Sequence, residues 1–277
     1  MEDQAPRIAT VADVVDAVHG RYDPEGAQPW DAVGLVCGDP EAPVRRVHLA
    51  VDPVEQVVDE ALAAEADLLM THHPLLLRPV SSVAATTPAG RVLHRLVRGG
   101  CALLAAHTNA DAARDGVSDA LAQLLGVDDT EPVEASAADP GTGLGRIGRV
   151  RSGLTLAAFA EQVRAALPAT AHGVRVAGDL ERPVERVAVC GGSGSDLLAA
   201  ATAAGADVLV TADLKHHVAL DHLAAGGCAV VDVAHWASEW PWLERAARLL
   251  VSDLAARGVT VDTHVSRIVT DPWSARL

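Results

Sequence analysis

The sequence predicts an α/β protein built from two related lobes, and three observations carry that prediction. Short apolar runs alternate with segments of helical periodicity along most of the chain. Of the 277 residues 49% are hydrophobic but only 3% aromatic, so the core must be made of Ala, Val and Leu. That composition suits helices packed closely on a parallel sheet. Finally, a shift of 140 residues lays Asp67-Leu68-Leu69-Met70-Thr71 on Asp207-Val208-Leu209-Val210-Thr211. In each half Gly-Gly-Cys-Ala, an apolar strand and a histidine four residues before a carboxylate come next: His107 with Asp111, and His235 with Glu239. A duplication of this kind implies one paired-lobe domain with a pseudo-twofold axis: lobe one over residues 1–127, a linker over 128–143, and lobe two over 144–277.

Taken in order, Ile8, Val11, Val14, Val15 and Val18 have helical spacing and predict a helix over residues 8–19. Pro24–Trp30 reads as a loop, and a short strand follows to about Gly38. Val47–Val51 is a strand, Asp52-Pro53 opens a helix to about Ala66, and a strand over 67–71 runs into His72-His73, where Pro74 stops it. A helix near 89–98 leads to the strand Cys101–Ala106 and then to His107-Thr108-Asn109-Ala110-Asp111; Ser118-Asp119 caps a helix to Leu125. Residues 128–143 are rich in Asp, Glu, Pro, Ala and Gly without periodicity, hence the linker. In the second half the pattern gives a strand at 145–151, a helix at 155–167, and strands at 174–176 and 187–190. Further strands at 207–211 and 228–233 follow, then a long helix from about Ser238 to Gly258 and a closing strand Val259–Val265.

The formal charge of −15 argues against a general binder of nucleic-acid backbones, which needs a basic face. Four scattered cysteines include no C-x-x-C pair, and Cys101, Cys190 and Cys228 read as small buried hydrophobes, consistent with a reducing, cytoplasmic setting. The acidic, polar start is unlike a secretory leader. No stretch approaches the roughly 20 apolar residues of a membrane span.

In open α/β sheets, ligands bind outside the carboxyl ends of strands, where His72 and His73 fall. Neighbours on an extended chain point to opposite sides, so these imidazoles are expected to reach two ions, one on each flank; the competing reading is a pair hydrogen-bonded at a strand end. The repeat adds Asp111, His235 and Glu239. Five ligands are too many for one open site and suit two divalent ions sharing a carboxylate bridge, Glu239 or Asp111. Zn, Fe and Mn all fit such a set. His107 is a sixth ligand, a support for the ligands, or a structural strand-end histidine. Asp213, the repeat mate of His73, points toward the same cleft. Lys215, His216 and His217 form a basic patch that either meets a triphosphate tail or lies solvated. Gly191-Gly192-Ser193-Gly194 either holds a phosphate at a helix start or makes a tight turn; it lacks the Lys-Ser/Thr ending of a P-loop. Trp236, Trp240 and Trp242 read as packing in preference to base stacking. His19, His48, His94, His172, His222 and His264 have no motif around them.

Six motifs in register resemble one family: Trp30-Asp31-x-x-Gly34-Leu35, Asp67-x-x-x-Thr71-His72-His73-Pro74, His107-Thr108-Asn109-x-Asp111, Gly191-Gly192-Ser193-Gly194, Thr211-x-Asp213-Leu214-Lys215-x-His217 and His235-x-x-x-Glu239. Together they resemble the Nif-three-like dinuclear metal centre proteins, also called GTP cyclohydrolase I type 2 homologues, over nearly the whole chain. The resemblance implies the Nif-three-like fold with its metal site in the cleft between lobes, ligands at His72, His73, Asp111, His235 and Glu239, and a toroidal homohexamer. Some members carry a further domain between the lobes, and the short 128–143 segment leaves no room for one. Ala32, Ala212, Ala234 and Trp236 depart from the family's usual residues without touching a ligand. Two functions are therefore expected to compete. One is a metal-dependent hydrolase in which metal-bound water attacks a nucleotide or phosphorylated small molecule, GTP by resemblance. The other is a non-catalytic metal-binding assembly or regulator.

Overall fold

Buried apolar strands joined by helical crossovers pair in parallel. The computed structural model describes residues 7–277 and has two sheets organised in this way. The expectation about a leader falls partly on residues 1–6, outside the described residues. Among the described residues no helix is long and apolar enough to cross a membrane.

The chain divides into two compact units. The first holds the chain up to Ala110 together with Leu243–Thr270. Its five-stranded sheet has the order Asp262–Val265, Arg46–Ala50, Leu68–Thr71, Ala102–Ala105, Gly34–Cys37; the first four strands are parallel and the last antiparallel. The helices Glu55–Ala63 and Pro88–Gly99 cross between parallel strands. Their Val57, Val58, Ala61, Val92 and Leu96 join Leu69 and Leu103 in one buried cluster. The start differs from the expected helix over 8–19: Arg7–Thr10 is a strand and the helix is Val11–Arg21. Thr10 and Asp13 form a capping box, which fixes the helix start at residue 11 whatever the apolar spacing.

The second unit comprises Asp111–Trp242 and Asp271–Leu277. Its six-stranded sheet has the order Arg175–Ala177, Ala229–Val233, Val208–Ala212, Pro183–Ser193, Arg146–Thr155, Asp128–Glu131, with the second to fourth parallel. One face is covered by the helix Leu156–Ala166, whose Phe159 and Val163 are buried with Val187, Val208 and Val231. Residues 128–143 are thus not a structureless link. Asp128–Glu131 pairs with the long strand, and Glu134–Ala135 pairs with Gly143–Leu144. Both sides of Asp128–Glu131 are exposed, so no apolar alternation marked it. The closing strand differs too: Asp262–Val265 pairs with Arg46–Ala50 in the first unit's sheet and Val259–Thr260 with Arg7–Thr10. Ser118 and Asp119 do not cap their helix, which runs Val117–Leu124 from Gly116 without a side-chain cap. Asp119 instead receives Arg146, a buried guanidinium, at 2.6 Å.

The sequence repeat has a structural counterpart within each unit. Asp67 accepts from the backbone N–H of Arg45 and Arg46 at 2.7 and 3.0 Å, and Asp207 accepts from Glu185 and Arg186 at 2.9 Å each. Val47 lies opposite Leu68, and Val187 opposite Val208. Each aspartate therefore clamps the start of one parallel strand to the start of the next. Asp67→Ala and Asp207→Ala each strip two N–H groups of their acceptor and are expected to cost about 1–3 kcal/mol. Thermal unfolding should register this as a lowered midpoint in both variants, at about 2–4 °C per kcal/mol.

Candidate metal centre

In the first unit the carboxyl ends of three parallel strands gather imidazoles and the groups that hold them. The strand Leu68–Thr71 ends before His72; Thr71 Oγ1 donates to the His73 carbonyl at 2.8 Å, and the chain bends there. The tandem histidines therefore do not splay to opposite flanks as an extended strand would send them. Their ring centroids are 5.1 Å apart, and His107, just past Ala102–Ala105, lies 5.1 Å from His72 and 5.5 Å from His73. One ring nitrogen from each of the three falls within 4.8 Å of the others.

Each of these rings is tied at Nδ1. The His72 Nδ1 lies 3.0 Å from the Ala106 carbonyl, the His73 Nδ1 2.7 Å from Asp52 Oδ1, and the His107 Nδ1 2.9 Å from Asp31 Oδ1. Carbonyl and carboxylate oxygens only accept, so Nδ1 carries the proton and the lone pair falls on Nε2. Burial, and then the neighbouring His72, hold the His107 imidazole below its ordinary pKa, which keeps it neutral. Burial disfavours the Asp31 carboxylate, but hydrogen bonds from His107 and Thr108 outweigh it and keep its carboxyl below the usual range. Asp52 also accepts from the Thr270 hydroxyl. A cavity of about 680 Å³ opens beside His73 and Asp52, lined also by Val54, Gln56, Leu75 and Val92.

In the second unit His235 opens the helix His235–Ala256, three residues earlier than expected, two residues past the strand Ala229–Val233. Helical geometry places Glu239 on the same face one turn on, and His235 Nε2 lies 2.8 Å from Glu239 Oε1. The His235 Nδ1 donates to Asp213 Oδ2 at 2.7 Å. Asp213 takes the left-handed conformation, φ 58°, just past its strand, which an aspartate tolerates at a small cost. Asp111 lies on the short helix Thr108–Ala112. Burial, and then the charges of Asp111 and Glu239, push the Cys190 thiol well up, so both carboxylates bear on one spot.

Gly191-Gly192-Ser193-Gly194 packs on that spot. The Gly192 N–H donates to Ser238 Oγ at 2.9 Å, and its carbonyl accepts from Thr211 Oγ1 at 2.9 Å. A Cβ on Gly192 would stand 2.4 Å from Glu239 Oε1 and 3.1 Å from His235 Nε2, and its φ is +68°. Lys215, His216 and His217 are exposed at the start of the helix His216–Ala224, and none of the three joins a cluster with the expected ligands among the described residues. Trp236 and Trp242 are buried, as packing residues are. The spacing of motifs did not reveal Asp31 and Asp52. Asp31 stood in a motif without a role, whereas Asp52 follows a strand end and was open to the same rule that singled out His72.

Gly192→Ala is expected to fold less stably. A left-handed φ alone costs about 1–2 kcal/mol for an alanine, and the Glu239 carboxylate has to move as well. The unfolding midpoint should fall; an unchanged midpoint would mean that the Glu239 carboxylate moves aside without cost.

Comparison with known proteins places the chain in a family. The family model described as Duf34/NIF3 (NGG1p interacting factor 3) matches residues 9–272. A Streptomyces coelicolor protein named "GTP cyclohydrolase 1 type 2 homolog" is 47% identical, covering 98% of this chain and 95% of its own length. A Mycobacterium bovis protein of the same name is 37% identical, over 95% of this chain and 96% of its own. The crystal structure of a Bacillus cereus protein related to NIF3 superposes with a TM-score of 0.90 at 26% identity, covering 96% of this chain and 99% of that one. The α/β architecture, the strand-end histidines and the family match lead to one assignment: this chain belongs to the Duf34/NIF3 family.

Proposed function

We propose that the protein binds a pair of divalent metal ions and uses them to hydrolyse a nucleotide or phosphorylated small molecule. The ligands are His72, His73, Asp111, His235 and Glu239, and His107 is a sixth. One observation carries the reading: His72, His73, His107 and His235 each tie Nδ1 to an oxygen, which aims Nε2 as a lone pair. A set of imidazoles and carboxylates held in this way has the donor chemistry of Zn, Fe or Mn centres. The contact between His235 Nε2 and Glu239 Oε1 supports it further. With Nδ1 protonated, two lone pairs meet at 2.8 Å, and only a proton or a cation makes that arrangement favourable.

When bound, such ions polarise a substrate oxygen and bring the pKa of a coordinated water toward neutrality. The chain's own residues do the rest. Asp31, Asp52 and Asp213 hold protons at the Nδ1 atoms of His107, His73 and His235, fixing each ring's tautomer and direction. Gly192 lets the backbone approach Glu239 without displacing it. The cavity beside His73 has room for part of a substrate, and its charged lining is acidic, Asp52 and Glu55. That lining favours a neutral ring or chain there and leaves a phosphate to the metal side. The relatives' name motivates GTP as the first substrate to try, and a homohexamer is the expected assembly in the cytoplasm.

Elemental analysis of the purified protein tests the reading. About two ions per chain are expected at this centre, with clear losses in His72→Ala and Glu239→Ala; unchanged metal content in both variants would remove the site. Asp52→Asn keeps the ligands but loosens the hold on His73, and competition with a chelator should show about 10–100-fold weaker binding. Turnover of nucleotides and phosphoesters with each metal loaded in turn then separates a hydrolase from a metal-binding assembly without activity.

A further inference from the structure

We propose that His48, Glu60 and His264 form an additional site for a single divalent transition-metal ion, of which Zn²⁺ is the best match. All three belong to the first unit and none takes part in the centre described above. His48 lies on Arg46–Ala50, and its register partner on the parallel neighbour is His264. Register partners share a face of the sheet, and the two imidazoles stack with centroids 4.9 Å apart and planes inclined by 27°. Glu60 comes from the helix Glu55–Ala63 that covers this face, and its Oε2 lies 2.9 Å from His48 Nε2. One donor atom from each residue falls within 4.8 Å of the other two.

Two imidazoles and a carboxylate are the donor set of zinc sites that keep a position open for water. In the free protein a proton bridges Nε2 of the buried His48 and Glu60 Oε2, and that is the contact an ion would replace. His264 is exposed, and its ring lies stacked on His48. Ser266 Oγ donates to Glu60 Oε2 at 2.5 Å, orienting the carboxylate as a supporting hydroxyl does for a ligand. Access is open, because His264 also lines a surface cavity of about 430 Å³ together with Thr263, Arg248 and Arg267.

The test is zinc titration of the full-length protein after chelator treatment, with bound metal counted after desalting. His264→Ala and Glu60→Gln should each bind one Zn²⁺ per chain fewer than the parent, while Glu239→Ala retains that ion. His264 is exposed, so its truncation spares the core, and Glu60→Gln preserves shape. As an independent readout, imidazole ¹⁵N shifts of His48 and His264 should move on adding Zn²⁺ to Glu239→Ala protein. Equal zinc in the parent and in both variants, with unmoved imidazole shifts, would overturn the proposal. Loss of an ion from His264→Ala with none from His72→Ala or Glu239→Ala would leave this site standing and remove the proposed centre.

Discussion

The arrangement depends on a constraint inside the imidazole ring: a neutral histidine has one N–H and one lone pair, and whatever binds the first decides where the second points. Here an oxygen settles the choice four times, from the Ala106 carbonyl, Asp52, Asp31 and Asp213. Three of these oxygens come from just past parallel strands: Asp52 beyond Arg46–Ala50, Ala106 beyond Ala102–Ala105, and Asp213 beyond Val208–Ala212. The histidines occupy strand ends too. A parallel sheet places such ends side by side and lets its interior strands be wholly apolar. The polar groups then collect where the hydrogen-bond ladder stops.

That regularity explains what could be read from the sequence. The runs at 68–71, 102–105, 208–212 and 229–233 are buried at every position and apolar at all but Thr71, Thr211 and Asp232, and a near-continuous apolar run is the signature of a buried parallel strand. The 140-residue repeat was legible because the turn before each second strand needs the same aspartate, at Asp67 and at Asp207. Less of the rest was encoded locally. Asp128–Glu131 is exposed on both sides, so nothing in its residues announced a strand. The closing strand Asp262–Val265 looked like part of the second half because it comes after it in sequence, but periodicity specifies a strand and not its partner. The expected divergence of His72 and His73 failed for a similar reason. The rule of alternating sides holds within a strand, and the strand stops at Thr71.

The glycine run shows how a motif can matter through packing. Its sequence invited a phosphate, since backbone N–H groups at a helix start attract anions. Yet the Gly192 N–H is already given to Ser238, and the chain beyond the glycines enters a 3₁₀ turn and then the six-residue helix Leu198–Ala203. The value of glycine here lies in the absent Cβ: any side chain at residue 192 would occupy the space of the Glu239 carboxylate. Ser238 closes the arrangement, accepting from Gly192 while donating to the carbonyl of His235 at 2.7 Å. One hydroxyl thus ties the strand carrying the glycines to the first turn of the helix carrying His235 and Glu239. An anion at this spot would be repelled by Asp111 and Glu239, the two charges that raise the Cys190 thiol. A cation would be drawn to the same spot, so the electrostatics that argue against a phosphate on the glycines are those that favour a metal beside them.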